Sequence, residues 1–378
     1  MFLIQRLIGV SIYAFCILIF CTAIKKIKGV NIHLNIYCII LAAMGFFYVP
    51  LSGSDLGRIQ LAMHSYANLS FNELINLMSQ TSSPLTSLYY YIIGNLGDDR
   101  LLPCISAFIT YSFCFGIIKS LYKCKHVYKN YIAISLFFFM SRGLFMMTIA
   151  NIKTMLCLSI IAFAIFKISF EKKSFIKYSV LLIIGALIHN VGMLATLLYF
   201  IFYAFMNKAN TNKIVKFIQI TFIALLGIYY GKNYFLLAIE KGGNYLEASR
   251  NFTGYFYIWE FILTLIVLIV NLYCIILFFR IKKKNNVITL DKSLLNFVRL
   301  IMYFTVLDIA LIFIEFNSGF RLSLLISIID IPFIIEMLNC NMFSSKIKKR
   351  LKLFILCCSF LMLFISCSRG DLCSLKFS

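Results

Sequence analysis

The chain has 378 residues, 62% of them hydrophobic and 13% charged, with a mean hydropathy of +0.92. That composition excludes a soluble globule, whose apolar face would have only lipid to bury against. The formal net charge of +22 does not mark a nucleic-acid binder either, because the cations lie in short clusters between apolar runs.

In chain order the apolar runs fall at 2–23, 31–50, 101–121, 131–149, 152–168, 175–190, 191–206, 214–231, 256–280, 294–314, 320–340 and 351–368. Since a helix needs about 20 apolar residues to cross a bilayer, they predict an all-α, polytopic integral membrane protein of about 12 transmembrane helices, with no soluble domain. Lysine-rich clusters at 25–28, 119–129, 167–177, 208–216, 280–292 and 346–352 are expected on the cytoplasmic side by the positive-inside rule. Both termini then lie outside. The segment Pro84–Leu96 is expected to dip in and return, because a full crossing there would export the later lysine clusters. The chain reads as one transmembrane domain, 1–378, with a long periplasmic segment at 51–100 and a second periplasmic loop at 232–256. The first span is too long and too weakly flanked by cations to be a cleaved signal, so it is expected to stay. Most of the thirteen cysteines sit inside apolar runs without metal-ligand spacing and read as small core residues. No metal and no cofactor is expected.

Polar residues that enter the membrane or gather on the outer side are where chemistry is expected. Between 55 and 96 the apolar spacing predicts re-entrant or interfacial helices. Asp55 stands at the head of the first, as its N-cap or as a catalytic carboxylate, with Arg58 one turn on. The stretch SRGLFMMTIANIK brackets Asn151 with Arg142 and Lys153, which serve either as snorkelling anchors or as partners of an anion. In LLIIGALIHNVGMLATLLYF, His189 and Asn190 interrupt an apolar run flanked by two lysine clusters, which predicts a tight hairpin with His189 at its outer tip. Its imidazole is either a hydrogen-bonded structural group or a general base for a sugar hydroxyl. Arg321, near Glu315 and Asn317, pairs with that glutamate or grips phosphate oxygens through its planar guanidinium. The 232–256 loop adds Tyr245 and Arg250, an aromatic and cationic mixture suited to carbohydrate.

Taken together, these residues resemble the bacterial EpsG-like and Wzy-type polysaccharide polymerases over most of the chain. Gly53-Ser54-Asp55 resembles the family's outer-loop Gly-x-Asp, and Ser83-Pro84 keeps the proline of a Glu-Pro. Asn151-Ile152-Lys153 keeps the frame of an Asn-Ile-Arg sequence but replaces its arginine. Ala186-Leu187-Ile188-His189 matches an apolar helix end followed by histidine, and Arg321 looks like the late arginine that opens a span.

The resemblance implies a metal-independent glycosyltransferase of the bacterial inner membrane that polymerises oligosaccharide repeat units on undecaprenyl diphosphate at the periplasmic face, making O-antigen, capsular or exopolysaccharide. It implies His189 or Asp55 as the base, with Arg321, Arg142 and Lys153 neutralising the departing diphosphate. Its partners would be the lipid-linked oligosaccharide, membrane lipids and a chain-length regulator, with no nucleic acid. Two other classes fit the same residues: a flippase for lipid-linked oligosaccharide, and a membrane O-acyltransferase acting on surface sugars.

Overall fold

The computed structural model describes residues 2–26, 28–50, 54–125, 127–206, 255–284, 292–314 and 316–368. All its regular structure is helical. Helices α1 (Phe2–Lys26) and α2 (Val30–Phe46) lead into three short helices, α3 (Asp55–Ala67), α4 (Phe71–Gln80) and α5 (Pro84–Gly94). Then come α6 (Leu101–Cys124), α7 (Lys129–Ser141), α8 (Leu144–Ala150), α9 (Ile152–Ile165, prolonged by a π turn over Phe166–Phe170), α10 (Phe175–Ile188) and α11 (Asn190–Met206). The last four are α12 (Tyr255–Lys284), α13 (Lys292–Ile314), α14 (Phe316–Asn339) and α15 (Ser345–Ser368).

Among the described residues, 6 helices are long and apolar enough to cross a membrane, and 7 if α7 and α8, bent by 51°, form one broken span. Twelve full-length spans are not what these helices provide. The run at 31–50 yields only 17 helical residues. The run at 131–149 breaks at Gly143, whose φ of 73° lies in the left-handed region that side chains avoid. The stretch 175–206 folds into helices of 14 and 17 residues, while 214–231 lies outside the described residues.

Helix α14 is the axis of the bundle: it is buried almost throughout and packs against α7, α9, α12 and α13. Around it, α6 joins α2 to α9, and α9 in turn supports the α10–α11 pair. Large apolar side chains face outward, Phe313 at 83% and Phe364 at 69% exposure, a surface that only lipid satisfies.

One end of the bundle is marked by lysine pairs. There Lys125 meets Glu336 at 2.8 Å, Lys167 meets Glu171 at 2.8 Å, and Lys352 lies 4.7 Å over the Tyr131 ring. From Lys167 back to Lys153 is 14 residues of helix, about 21 Å. The candidate residues therefore sit at the opposite end.

The short helices are specified locally. Ser54, not Asp55, is the N-cap of α3: its side chain accepts from the Gly57 amide at 3.3 Å, and Asp55 is the first helical residue instead. Ser70 and Glu73 form a capping box at α4, and the hydrogen bonds from Ser70 hold the Glu73 carboxyl below its usual range. Pro84 opens α5 at a position where its missing N–H costs nothing. With 11 residues, α5 is about 17 Å long, roughly half the hydrocarbon thickness. It rests on α3, α4 and α10.

The α10–α11 hairpin is held by close backbone approach. A Cβ on Gly192 would overlap the Gly185 carbonyl, and a Cβ on Gly185 would lie 2.5 Å from Ile161 of α9. Gly192→Val is therefore expected to splay the hairpin and destabilise the protein by about 1–3 kcal/mol, seen as a lower melting temperature in detergent. An unchanged melting temperature would show that the hairpin does not depend on this contact.

Candidate functional site

The π-turn end of α9 lies among the lysine pairs, and its start lies with the residues of interest. Asn151 joins α8 to α9, donating through Nδ2 to Met147 Sδ at 3.7 Å. Two residues on, Lys153 is half-buried, with Nζ 5.3 Å from the centre of the Tyr90 ring. No acidic side chain among the described residues pairs with it. Arg321, in the second turn of α14, and Lys153 both lie close enough to act electrostatically on His189. The tip of the hairpin, the start of α9 and the start of α14 thus bring His189, Lys153 and Arg321 together, each half-buried.

His189 is more tightly specified than a residue in a loose turn. Its carbonyl accepts the first helical bond of α11 from the Met193 amide at 3.2 Å, and its Nδ1 accepts from the Val191 amide at 3.1 Å. It is the N-cap of α11, a histidine in a position that short polar residues usually fill. With Nδ1 occupied as acceptor, the neutral ring carries its proton on Nε2. Burial of the ring, and then the neighbouring Arg321 and Lys153, disfavour its charged form, so the ring is kept neutral. The other ring nitrogen is then an N–H donor. A general-base role would require breaking the Val191 bond and changing tautomer.

Helix α5 braces this tip. Thr86 donates its hydroxyl to the Ile188 carbonyl at 2.5 Å, and Tyr89 and Ser106 share a hydrogen bond of 2.7 Å. Between α5, α6, α9 and α10 lies a cavity of about 190 Å³, lined by Thr86, Tyr89, Tyr90, Lys153, Leu156 and Ile188 among others.

Other expected site residues fall elsewhere. Arg142 does not join the group: only 2% exposed, it is held in the bundle by the Ser323 carbonyl and hydroxyl, the Ser327 hydroxyl and, at 3.3 Å, Thr264 Oγ1. Its guanidinium stitches the end of α7 to α12 and α14. Asp55 and Arg58 pair with each other on the exposed face of α3. Tyr245, Arg250 and Glu315 lie outside the described residues. The end of the bundle opposite the lysine pairs also holds groups that sequence reasoning did not single out as site residues. His64 meets Asp99 at 3.0 Å, and hydrogen bonds from Arg100 hold the Asp98 carboxyl below the usual carboxylate range. Deeper in the bundle, Asp308 and Asp330 are fully buried, and Asn271 donates to Asp330 at 3.2 Å. A carboxylate in mid-span is costly, and that signal was readable in the sequence.

These features define a polytopic helical membrane protein with a polar, cation-flanked site at one end of its bundle. The model of the EpsG family matches residues 63–372, and the chain belongs to that family, membrane proteins of polysaccharide biosynthesis. No curated protein and no solved structure matches it.

Proposed function

We propose that this protein is a polysaccharide polymerase of the bacterial inner membrane, transferring a growing glycan from its undecaprenyl diphosphate carrier onto the next lipid-linked repeat unit at the periplasmic face. The observation that carries the reading is the convergence of His189, Lys153 and Arg321 beside an apolar cavity. Such a site suits a substrate with an anionic head and a hydrocarbon tail. In the reaction, a hydroxyl oxygen of the acceptor sugar attacks the anomeric carbon of the growing chain. The bond from that carbon to the lipid diphosphate breaks, and the diphosphate leaves with the bonding electrons. Lys153 and Arg321 neutralise the charge that develops on it, and the Nε2–H of His189 donates a hydrogen bond to the same oxygens. The hydroxyl proton passes to solvent water as the new bond forms, since Asp55 is engaged by Arg58 elsewhere on α3. No metal enters this scheme.

A transporter of lipid-linked oligosaccharide is the second reading, favoured by the buried Asp308 and Asp330 in mid-helix, where transporters place their coupling groups. A deletion strain separates the two. Loss of a polymerase leaves surface glycans carrying one repeat unit, with synthesis and export intact. A surface bare even of single units would sink the polymerase reading in favour of transport, and full-length polymer lacking acetyl groups would sink it in favour of acyl transfer.

A further inference from the structure

Helices α6 and α9 pack against each other and both end among the lysine pairs. There Lys167 of α9 donates to the Ser120 hydroxyl of α6. About 21 Å back along each helix stand Lys153 on α9 and Ser106 on α6, and α6 continues to Leu101, about 8 Å further. Lys153 is therefore recessed below the start of α6. At that depth α5 meets both helices: Tyr89 shares its 2.7 Å hydrogen bond with Ser106, and the Tyr90 ring lies 5.3 Å from Lys153 Nζ.

Thr86 and Tyr90 stand at i and i+4, on one face of α5, and each reaches a different part of the site. The His189 turn is held from within the hairpin by the Met193 amide on its carbonyl and the Val191 amide on Nδ1. The bond from the Thr86 hydroxyl to the Ile188 carbonyl, at 2.5 Å, comes from another helix. Ile188 is the last residue of α10, and His189 after it is extended, with φ −155° and ψ 147°. The peptide unit that Thr86 grips is thus the point from which the imidazole departs. Its carbonyl is among those that a helix C-terminus leaves without an intrahelical donor. Thr86 is 5% exposed and Ile188 6%, so removing the hydroxyl leaves a buried acceptor unsatisfied. Tyr90 acts through its ring: its hydroxyl has no hydrogen-bond partner among the described residues, and the ring face attracts the Lys153 ammonium.

We propose that α5 is the positioning element of this site, with Thr86 fixing the direction of His189 and Tyr90 the place of Lys153, so that donor and cation address the same substrate oxygens. The roles of His189 and Lys153 are those of the proposed function, on which the inference rests. Thr86 and Tyr90 act through these neighbours and are positioning residues. Since α3 and α4 pack on α5, the short helices between α2 and α6 support the geometry of the site from one side.

The test uses the full chain in liposomes with a synthetic diphosphate-linked repeat unit. Thr86→Val keeps the branched shape and removes the donor, whereas Thr86→Ser keeps the donor. Thr86→Val should lose about 10–100-fold in kcat with KM little changed, and Thr86→Ser should recover most of it. Tyr90→Leu should also lower kcat, and Tyr90→Phe, which keeps the ring, should rescue what leucine loses. A second readout needs no turnover. The chain has four histidines, so nitrogen-15 labelling of histidine identifies the His189 ring by the signal missing from His189→Asn. That signal should report a proton on Nε2 in wild type and Thr86→Ser, and a mixture of tautomers in Thr86→Val. Wild-type kcat in Thr86→Val would overturn the proposal, as would lost activity with an unchanged His189 signal, or equal loss in Thr86→Ser. Should Thr86→Val fail to fold, the Tyr90 pair decides, and equal activity of its leucine and phenylalanine variants would overturn the proposal. If wild type forms no polymer, the polymerase reading falls, and the His189 signal alone decides the role of Thr86.

Discussion

His189→Ala is expected to insert normally and to lose polymer synthesis by about 10²–10³, the usual loss when one preorganised donor to a developing oxyanion is removed. Two further substitutions divide the possible causes. Glutamine places an amide N–H near the position of Nε2, so His189→Gln should recover part of the activity. Asparagine offers an acceptor near Nδ1, so His189→Asn should preserve the cap on Val191 yet remain as inactive as alanine. If asparagine restored activity and glutamine did not, His189 would be a capping residue alone. Equal loss with glutamine and alanine, at matched protein level, would return the residue to the general-base role that the sequence first suggested.

The cations carry the second large effect. Arg321→Lys keeps the charge but loses the planar fork, and a hydrogen bond to a charged group is worth about 1.5–3 kcal/mol, so polymerisation should fall by roughly 10–100-fold. Lys153→Arg should be tolerated or should improve turnover, since the longer guanidinium still stacks on Tyr90 and adds a second donor. Lys153→Met, which keeps the chain length without the charge, should be as damaging as the Arg321 change. In vivo glycan ladders at matched expression read all three. An inactive Lys153→Arg protein beside a fully active Arg321→Lys protein would reverse the roles of the two cations.

Much of this architecture was legible because lipid imposes simple rules on a sequence. Among the described residues the apolar runs became helices, the lysine clusters at the ends of α6, α9 and α15 collected at one end, and the 175–206 stretch became a hairpin with His189 at its tip. The number of spans was not legible in the same way. Hydropathy registers that 131–149 is apolar, but the bend at Gly143 depends on a left-handed backbone angle. Nor does it register that α10 and α11 are short helices locked by Gly185 and Gly192.

The site divided along a similar line. Lys153, His189 and Arg321 were identified by their rarity in an apolar context and do come together. Arg142 was identified by the same rarity, but its partners are hydroxyls of Thr264, Ser323 and Ser327, more than 100 residues away in sequence. Its local surroundings give no hint of them. The proton on Nε2 of His189 is fixed by one backbone bond to Val191, which no spacing argument reveals. Asp308 and Asp330 could have been flagged from the sequence by their cost in mid-span.

Reconstitution tests the central claim most directly. The purified protein, placed in liposomes with a synthetic undecaprenyl diphosphate-linked repeat unit and no other enzyme, is predicted to yield a ladder of lengthened lipid-linked glycans. One free undecaprenyl diphosphate should be released for each glycosidic bond formed, and the His189→Ala and Arg321→Lys proteins should produce little of either. Movement of the intact repeat unit across the bilayer, with no new glycosidic bond and no released carrier, would contradict the account.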